Sequence, residues 1–148
     1  MEPKTGFPSI SALAILVCLL GTDASALDDE AQIILGRSEY MGHCAVCHGP
    51  EGKGDGPAAE AMVVEPADLT QIAVRYSGQF PSDQIYRVID GREAINPHGD
   101  RSMPIWGYRY WDEAQARANQ VPLDVDRQAI VHGRITALVR YLESIQAQ

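Results

Sequence analysis

The chain is poor in cysteine, in basic residues and in long apolar runs. Of its 148 residues only three are cysteines, and 12 Lys or Arg stand against 20 Asp or Glu, which gives a formal net charge of −8 at pH 7. No basic stripe of the kind that nucleic-acid-binding proteins use is present, so we expect no nucleic-acid partner. The length fits one domain, and the sequence holds no internal repeat and no low-complexity tract.

The apolar run near the N-terminus, residues 10–20, is too short for a comfortable bilayer span. It follows Lys4 and precedes a triplet of small residues that ends at Ala26. This order is typical of a signal peptide. We therefore expect residues 1–26 to be removed on export to the periplasm, and residues 27–148 to form the mature domain. The alternative is an uncleaved membrane anchor.

The two cysteines outside this segment, Cys44 and Cys47, form a C-x-x-C-H pattern with His48. The pattern is typical of covalent attachment of c-type haem. Cysteines three apart on a helical turn share one face, from which both sulfurs can reach the two vinyl groups of one haem. The next residue can then ligate the iron through a neutral imidazole. We expect one haem c per chain, attached through Cys44 and Cys47, with His48 as an iron ligand.

Two other kinds of site use similar cysteines. A thioredoxin-like redox pair would lie beside a βαβ pattern, which the sequence does not contain. A structural zinc site would need four ligands, normally including a second Cys or His pair. The third cysteine, Cys18, lies in the segment that we expect to be removed. Both alternatives are therefore weaker than haem.

Apolar periodicity predicts an all-α chain. The predicted helices cover residues 30–47, 58–64, 82–90 and 112–119, followed by a last helix that starts at Asp124 or Asp126 and runs to about residue 145. Asp28 or Asp29 is the expected cap of the first helix and Ser82 that of the third, which Gly91 should end. An apolar stripe marks the last helix, formed by Val131, Ile135, Leu138, Val139, Leu142 and Ile145.

The segment after the motif, residues 49–57, holds four glycines and should be a loop that passes close to another part of the molecule. A haem-ligating histidine usually donates its other ring N–H to a nearby acceptor. Pro57 or a neighbouring carbonyl is our candidate acceptor for His48. Leu69 is a candidate for the wall of the haem cavity.

The second axial position has three possible occupants: methionine, histidine or none. Met103 precedes a proline, which favours an extended loop, and its soft thioether suits haem iron. A methionine that merely fills a gap in the core is the ordinary alternative, and His98 could serve in its place. On the first helix we expect Met41 in the core and His43 at the surface. The candidates for holding haem propionates are Arg75, Tyr76, Arg92, Arg101 and Trp106.

These features together make the chain resemble the soluble, single-haem class I cytochromes c. Gly36 and Tyr40 stand eight and four residues before Cys44, as a glycine and an aromatic do in that family, and Leu138 and Tyr141 resemble the pair that crosses the glycine. The resemblance implies an all-α cytochrome c fold, with N- and C-terminal helices crossing over a covalently bound haem. It also implies that Met103 is the distal ligand of the iron.

Two features depart from the best-known members of that family. The chain is acidic, whereas mitochondrial-type members carry a ring of lysines around the haem edge, and residues 107–125 have no clear counterpart. We expect a monomeric electron carrier, not an enzyme, that exchanges electrons with donor and acceptor proteins through a basic patch on the partner. Membrane contact should arise only through a membrane-bound partner. The alternatives are a haem subunit of a larger dehydrogenase or respiratory complex, and a haem sensor or enzyme with an open sixth site.

Overall fold

The computed structural model describes residues 23–92, 103–119 and 126–147, with the backbone alone for residues 23–27. Within these residues every regular element is helical, which confirms the predicted all-α class. The α-helices are α1 (Asp23–His43), α2 (Ala45–His48), α3 (Ile72–Arg75), α4 (Ser82–Asp90), α5 (Trp106–Ala118) and α6 (Arg127–Ser144), and two short 3₁₀ turns cover Ala59–Ala61 and Leu69–Gln71.

The two long helices α1 and α6 cross at Gly36, as predicted. A Cβ atom at Gly36 would lie 2.6 Å from the carbonyl carbon of Ala137 and 2.8 Å from the Cβ of Tyr141. Carbon atoms in ordinary contact stand about 3.5–4.0 Å apart. Only glycine therefore lets the backbones approach this closely, which explains a residue of poor helix propensity in a helix interior.

Helix α6 is the central element of the core. Its predicted stripe is buried at Val131, Ile135, Leu138, Val139 and Leu142. Ala137 and Tyr141 are buried as well, because α6 packs against α1 on one side and against α4 and α5 on the other. A helix with neighbours on several sides buries more than one apolar stripe.

The helix ends follow the predictions only in part. The Asp126 carboxylate caps α6 by accepting from the Ala129 N–H at 3.1 Å, and Gly91 ends α4 in the left-handed conformation, with φ = 63°. The cap predicted at Ser82 is wrong, since Pro81 holds that position and makes no side-chain cap. The helical backbone already runs from Asp23, so Asp28 and Asp29 do not begin α1.

Helix α5 begins six residues before the helix that we predicted there. It packs against α4 and α6, and tertiary contacts outweigh the modest helix propensity of its aromatic first turns. None of the helices in residues 23–92, 103–119 and 126–147 combines the length and the apolar character that crossing a bilayer requires. The signal peptide predicted for residues 1–26 lies almost entirely outside the described residues.

Candidate functional site

The motif cysteines lie at the junction of two helices. Helix α1 ends at His43, Cys44 forms a turn with φ = −105°, and α2 continues through His48. The predicted single helix through Cys47 is thus broken at Cys44. Hydrogen bonds from the Cys44 N–H to the Tyr40 carbonyl (2.8 Å) and from the His48 N–H to the Cys44 carbonyl (2.9 Å) hold the turn. Both cysteine side chains are half-buried.

The Cys44 thiol lies in an apolar environment. Burial, followed by the nearby Glu39 carboxylate and by Cys47, raises the pKa of Cys44 to about 12. The sulfur is therefore a neutral thiol at physiological pH, and a neutral sulfur suits an apolar cleft better than a thiolate would.

His48 is oriented by a backbone carbonyl. Its Nδ1 lies 3.0 Å from the carbonyl oxygen of Ala67, so Nδ1–H donates and Nε2 keeps the free lone pair. The acceptor predicted at Pro57 is wrong, although a backbone carbonyl does take the role. Burial lowers the pKa of His48 more than this hydrogen bond raises it. The neutral imidazole, which is the form that binds metals, is therefore favoured.

The glycine-rich loop folds back onto the motif. The Gly54 N–H donates to the His48 carbonyl at 2.8 Å, and the Gly56 N–H donates to the Cys47 carbonyl at 3.0 Å. A Cβ at Gly56 would lie 2.6 Å from that same Cys47 oxygen, and Gly54 has φ = +83°. The glycines are therefore needed for close approach to the motif backbone, which agrees with the predicted close approach of this loop.

The segment that supplies the Ala67 carbonyl is fastened by two residues that follow α6. The Gln146 side chain accepts from the Ala73 N–H and donates to the Leu69 carbonyl, both at 2.9 Å. The Ala147 N–H donates to the Thr70 carbonyl at 2.9 Å. This arrangement, the Gln146 clasp, fixes the backbone that follows the acceptor of the His48 proton.

A cleft formed of two adjoining cavities, of about 110 and 410 Å³, lies beside the motif. Both cavities are lined by Cys44, His48, Ala67 and Met103. The larger one adds Leu69, Ile72, Ile85, Val88, Ile89, Leu138 and Leu142 among its apolar walls. A cleft with mainly apolar walls, two thiols, an oriented imidazole and a thioether fits a flat, apolar, iron-containing ring.

The structure brings all four predicted site residues into this cleft: Cys44, Cys47, His48 and Met103. It also confirms Leu69 as a wall residue. The competing ligand, His98, lies outside the described residues.

The propionate candidates divide into three groups. Arg75 and Tyr76 line the larger cavity and Trp106 the smaller one, so these three stay candidates. Arg92 is engaged elsewhere, since its Nε donates to Asp90 at 2.9 Å and its Nη1 to Gln128 at 3.0 Å. Arg101 lies outside the described residues.

Sequence reasoning missed the role of His43. Its ring packs at a tilt against Trp106 and edge-on against Tyr110, with centroid distances of 5.2 and 5.9 Å, and it lines the smaller cavity. Met41, which was expected in the core, is instead 43% exposed. Helical spacing could have predicted that His43, and not Met41, faces the interior. His43 stands seven residues after Gly36 and three after Tyr40, on the same buried face of α1.

The family model described as Cytochrome c matches residues 33–146 of this chain. The matched region includes every residue assigned above to the cleft. No curated protein and no solved structure matches the chain significantly.

Proposed function

Because this chain belongs to the cytochrome c family, whose members carry covalently attached haem c in electron transfer, we propose that it is a periplasmic carrier of single electrons. In this proposal Cys44 and Cys47 hold the haem, and His48 and Met103 are its axial ligands. The observation that carries the proposal is the meeting of these four side chains in one mainly apolar cleft.

The chain's own residues account for attachment. The Cys44 and Cys47 thiols would hold the haem by addition to its two vinyl groups: each carbon–sulfur bond would replace an S–H bond and a vinyl π bond, and the thiol hydrogen would pass to the other vinyl carbon without net oxidation. The short helix α2 supports the geometry, because it keeps Cys44 and Cys47 three residues apart on one helical turn. The Ala67 carbonyl holds the Nδ1 proton of His48, which leaves Nε2 to bind the iron.

The haem supplies an iron that alternates between two oxidation states. His48 and Met103 would both hold the iron, which would leave no position for a substrate and limit the site to the exchange of electrons. The apolar walls exclude water, which lowers the cost of reorganisation and favours the less charged reduced state. The Met103 thioether favours the ferrous iron further and should raise the reduction potential.

Export and partner binding complete the proposal. The sequence pattern of residues 1–26 supports a cleaved signal peptide. Cleavage after Ala26 would remove the first four residues of α1, which the structure begins at Asp23. The net charge of −8 favours donor and acceptor proteins that present a basic patch, and the protein should act as a monomer.

The experiment compares the wild type with Met103→Ala after expression with haem maturation. Haem that stays bound to the chain through denaturation and acidified solvent extraction, as measured by mass, supports attachment at Cys44 and Cys47. Met103→Ala should lose the near-infrared sulfur-to-iron band of the oxidised protein, bind carbon monoxide readily when reduced, and lower the reduction potential. Unchanged band, reactivity and potential would make Met103 a packing residue and leave His98 as the ligand to test.

A further inference from the structure

Helix α5 begins at Trp106, three residues after Met103, so the position of its first turns determines where the Met103 thioether lies. We propose that Arg134 on α6 is a positioning residue for the distal ligand. By fastening α5 to α1, Arg134 keeps Met103 over the iron and slows its replacement by other ligands. This inference rests on the proposed role of Met103, and it assigns a purpose to α5 (Trp106–Ala118), which lies in a segment that the family resemblance leaves unexplained.

Arg134 joins three helices through one guanidinium group. Its Nε and Nη2 donate to the two carboxylate oxygens of Glu39 on α1 at 2.9 and 2.8 Å, and its Nη1 donates to Glu113 on α5 at 2.6 Å. The same guanidinium lies 3.8 Å from the ring centroid of Tyr110, also on α5. The Arg134 side chain is 15% exposed and that of Glu39 is 22% exposed, so water and salt screen this pair weakly. The Glu113 side chain is 42% exposed, so its bond to Arg134 is screened more strongly, and the buried contact with Tyr110 adds to the connection with α5.

Three aromatic rings in mutual contact connect Arg134 with the cleft. Tyr110 is fully buried and stands one helical turn from Trp106, with ring centroids 5.7 Å apart. His43, the last residue of α1, packs against both rings. Trp106 lines the cleft together with Met103. A shift of α5 relative to α1 would therefore displace the wall next to the thioether.

The start of α5 is also held on its other side. Gly107 lies against the Asp90–Arg92 ion pair, and a Cβ there would be 2.5 Å from the Asp90 carboxylate and 2.7 Å from the Arg92 Nε. Asp90 is buried at the end of α4, and its Oδ1 lies 2.8 Å from the Arg92 Nη2. With α4 seated on one side, Arg134 provides the matching connection to α1 on the other.

The thioether–iron bond is weak, so its persistence depends on how firmly the chain around Met103 is placed. Loosening α5 should raise the population in which the sixth position is open, without touching the iron or either cysteine. Ligands that bind only to the open form would then react faster, in proportion to that population.

The test uses the holoprotein and compares Arg134→Met with Arg140→Met. Arg140 is a matched control because it lies on the same helix and also contacts two carboxylates, Asp29 on α1 and Glu143 on α6, but neither belongs to α5. The readouts are the rate of carbon monoxide binding to reduced protein, the rate of imidazole binding to oxidised protein, and the near-infrared sulfur-to-iron band.

Arg134→Met should speed both reactions about tenfold and weaken the band, which corresponds to about 1.4 kcal/mol in the opening equilibrium. Arg140→Met should match the wild type within about twofold. Glu113→Gln leaves the Arg134–Glu39 pair intact, so its ligand-binding rates should lie between those of Arg134→Met and Arg140→Met. If Arg134→Met does not accumulate as holoprotein, the rates of Glu113→Gln test the positioning role in its place. Rates for the Arg134 and Glu113 variants equal to those of Arg140→Met would overturn the positioning role, even if melting temperatures differ.

Met103→Ala, measured in the same series, separates the two ideas. If it opens the sixth position while the Arg134 variant does not, the proposed function stands and the positioning role fails. If Met103→Ala reacts like the wild type, Met103 is not the ligand, and the proposal for Arg134 fails with it.

Discussion

The crossing of α1 and α6 makes a sharp prediction for Gly36→Ala. The added Cβ would lie within 2.8 Å of both Ala137 and Tyr141 atoms, and one of these is backbone, which cannot rotate away. The two helices must separate by roughly 1 Å to restore ordinary contact distances. Overpacking of this kind costs about 1–3 kcal/mol. The gain in helix propensity of about 1 kcal/mol offsets part of that cost, so the net loss of stability should be about 0–2 kcal/mol.

A matched control lies on the same helix. Gly42 is also on α1, but a Cβ there would meet nothing within 4 Å. Gly42→Ala should therefore gain the helix propensity without the clash and stabilise the protein by about 0.5–1 kcal/mol. Because both variants gain the helix propensity, they should differ in the free energy of unfolding by the overpacking cost alone, about 1–3 kcal/mol.

The assay is urea unfolding of the two holoproteins, followed by circular dichroism and by haem absorbance. Thermal melts give an independent check, at about 4 °C per kcal/mol for a chain of this size. Should Gly36→Ala prove as stable as Gly42→Ala, the close approach of the two helices would not exist in the folded protein, and the reasoning from the glycine would be refuted.

Two further predictions concern alkaline pH and salt. Burial, followed by the nearby Glu39 carboxylate, raises the pKa of Tyr110. The folded state therefore holds this proton more tightly than the unfolded state does. The free energy of unfolding should fall as the pH rises through about 10, where the unfolded state loses the proton. In urea titrations between about pH 9 and 11, the stability of Tyr110→Phe should fall less with pH than that of the wild type. The substitution itself should cost less than about 1 kcal/mol, because the hydroxyl has no hydrogen-bond partner among the described residues. Equal slopes for the two proteins would contradict the assignment. Electron transfer to a basic partner should slow as ionic strength rises, and a rate independent of salt would reject electrostatic docking.

The parts of the fold and site that the sequence predicted are those with a local or periodic signal. The haem-attachment motif lies within five consecutive residues, Cys44 to His48, so its spacing alone predicts covalent haem attachment. The apolar stripe on α6 recurs at helical intervals, which predicted its core face. Gly36 stands one helical turn before Tyr40, and this spacing predicted the point where the two helices cross.

The parts that the sequence did not predict depend on distant partners. A carbonyl acceptor has no side-chain signature, and Ala67 lies 19 residues after the histidine that it orients. The side chain of Arg92 was a candidate for a propionate, but the fold brings Gln128, 36 residues later in the chain, to 3.0 Å from its Nη1. Trp106 and Gly107 have modest or poor helix propensity, and they begin α5 only because α4 and α6 pack against it.

The Gln146 clasp has a consequence for the order in which the site is built. A chain is synthesised from its N-terminus, so the motif that holds His48 emerges long before Gln146 exists. Until Gln146 has been synthesised, the Leu69 carbonyl and the Ala73 N–H lack their hydrogen bonds to its side chain. Without the clasp, the segment that carries the Ala67 carbonyl keeps only local hydrogen bonds, such as the one from the Leu69 N–H to the Gly52 carbonyl at 2.7 Å. The acceptor of the His48 Nδ1 proton is then held less firmly. The acceptor of the His48 proton is therefore fully fixed only after the residues that follow α6 have been made.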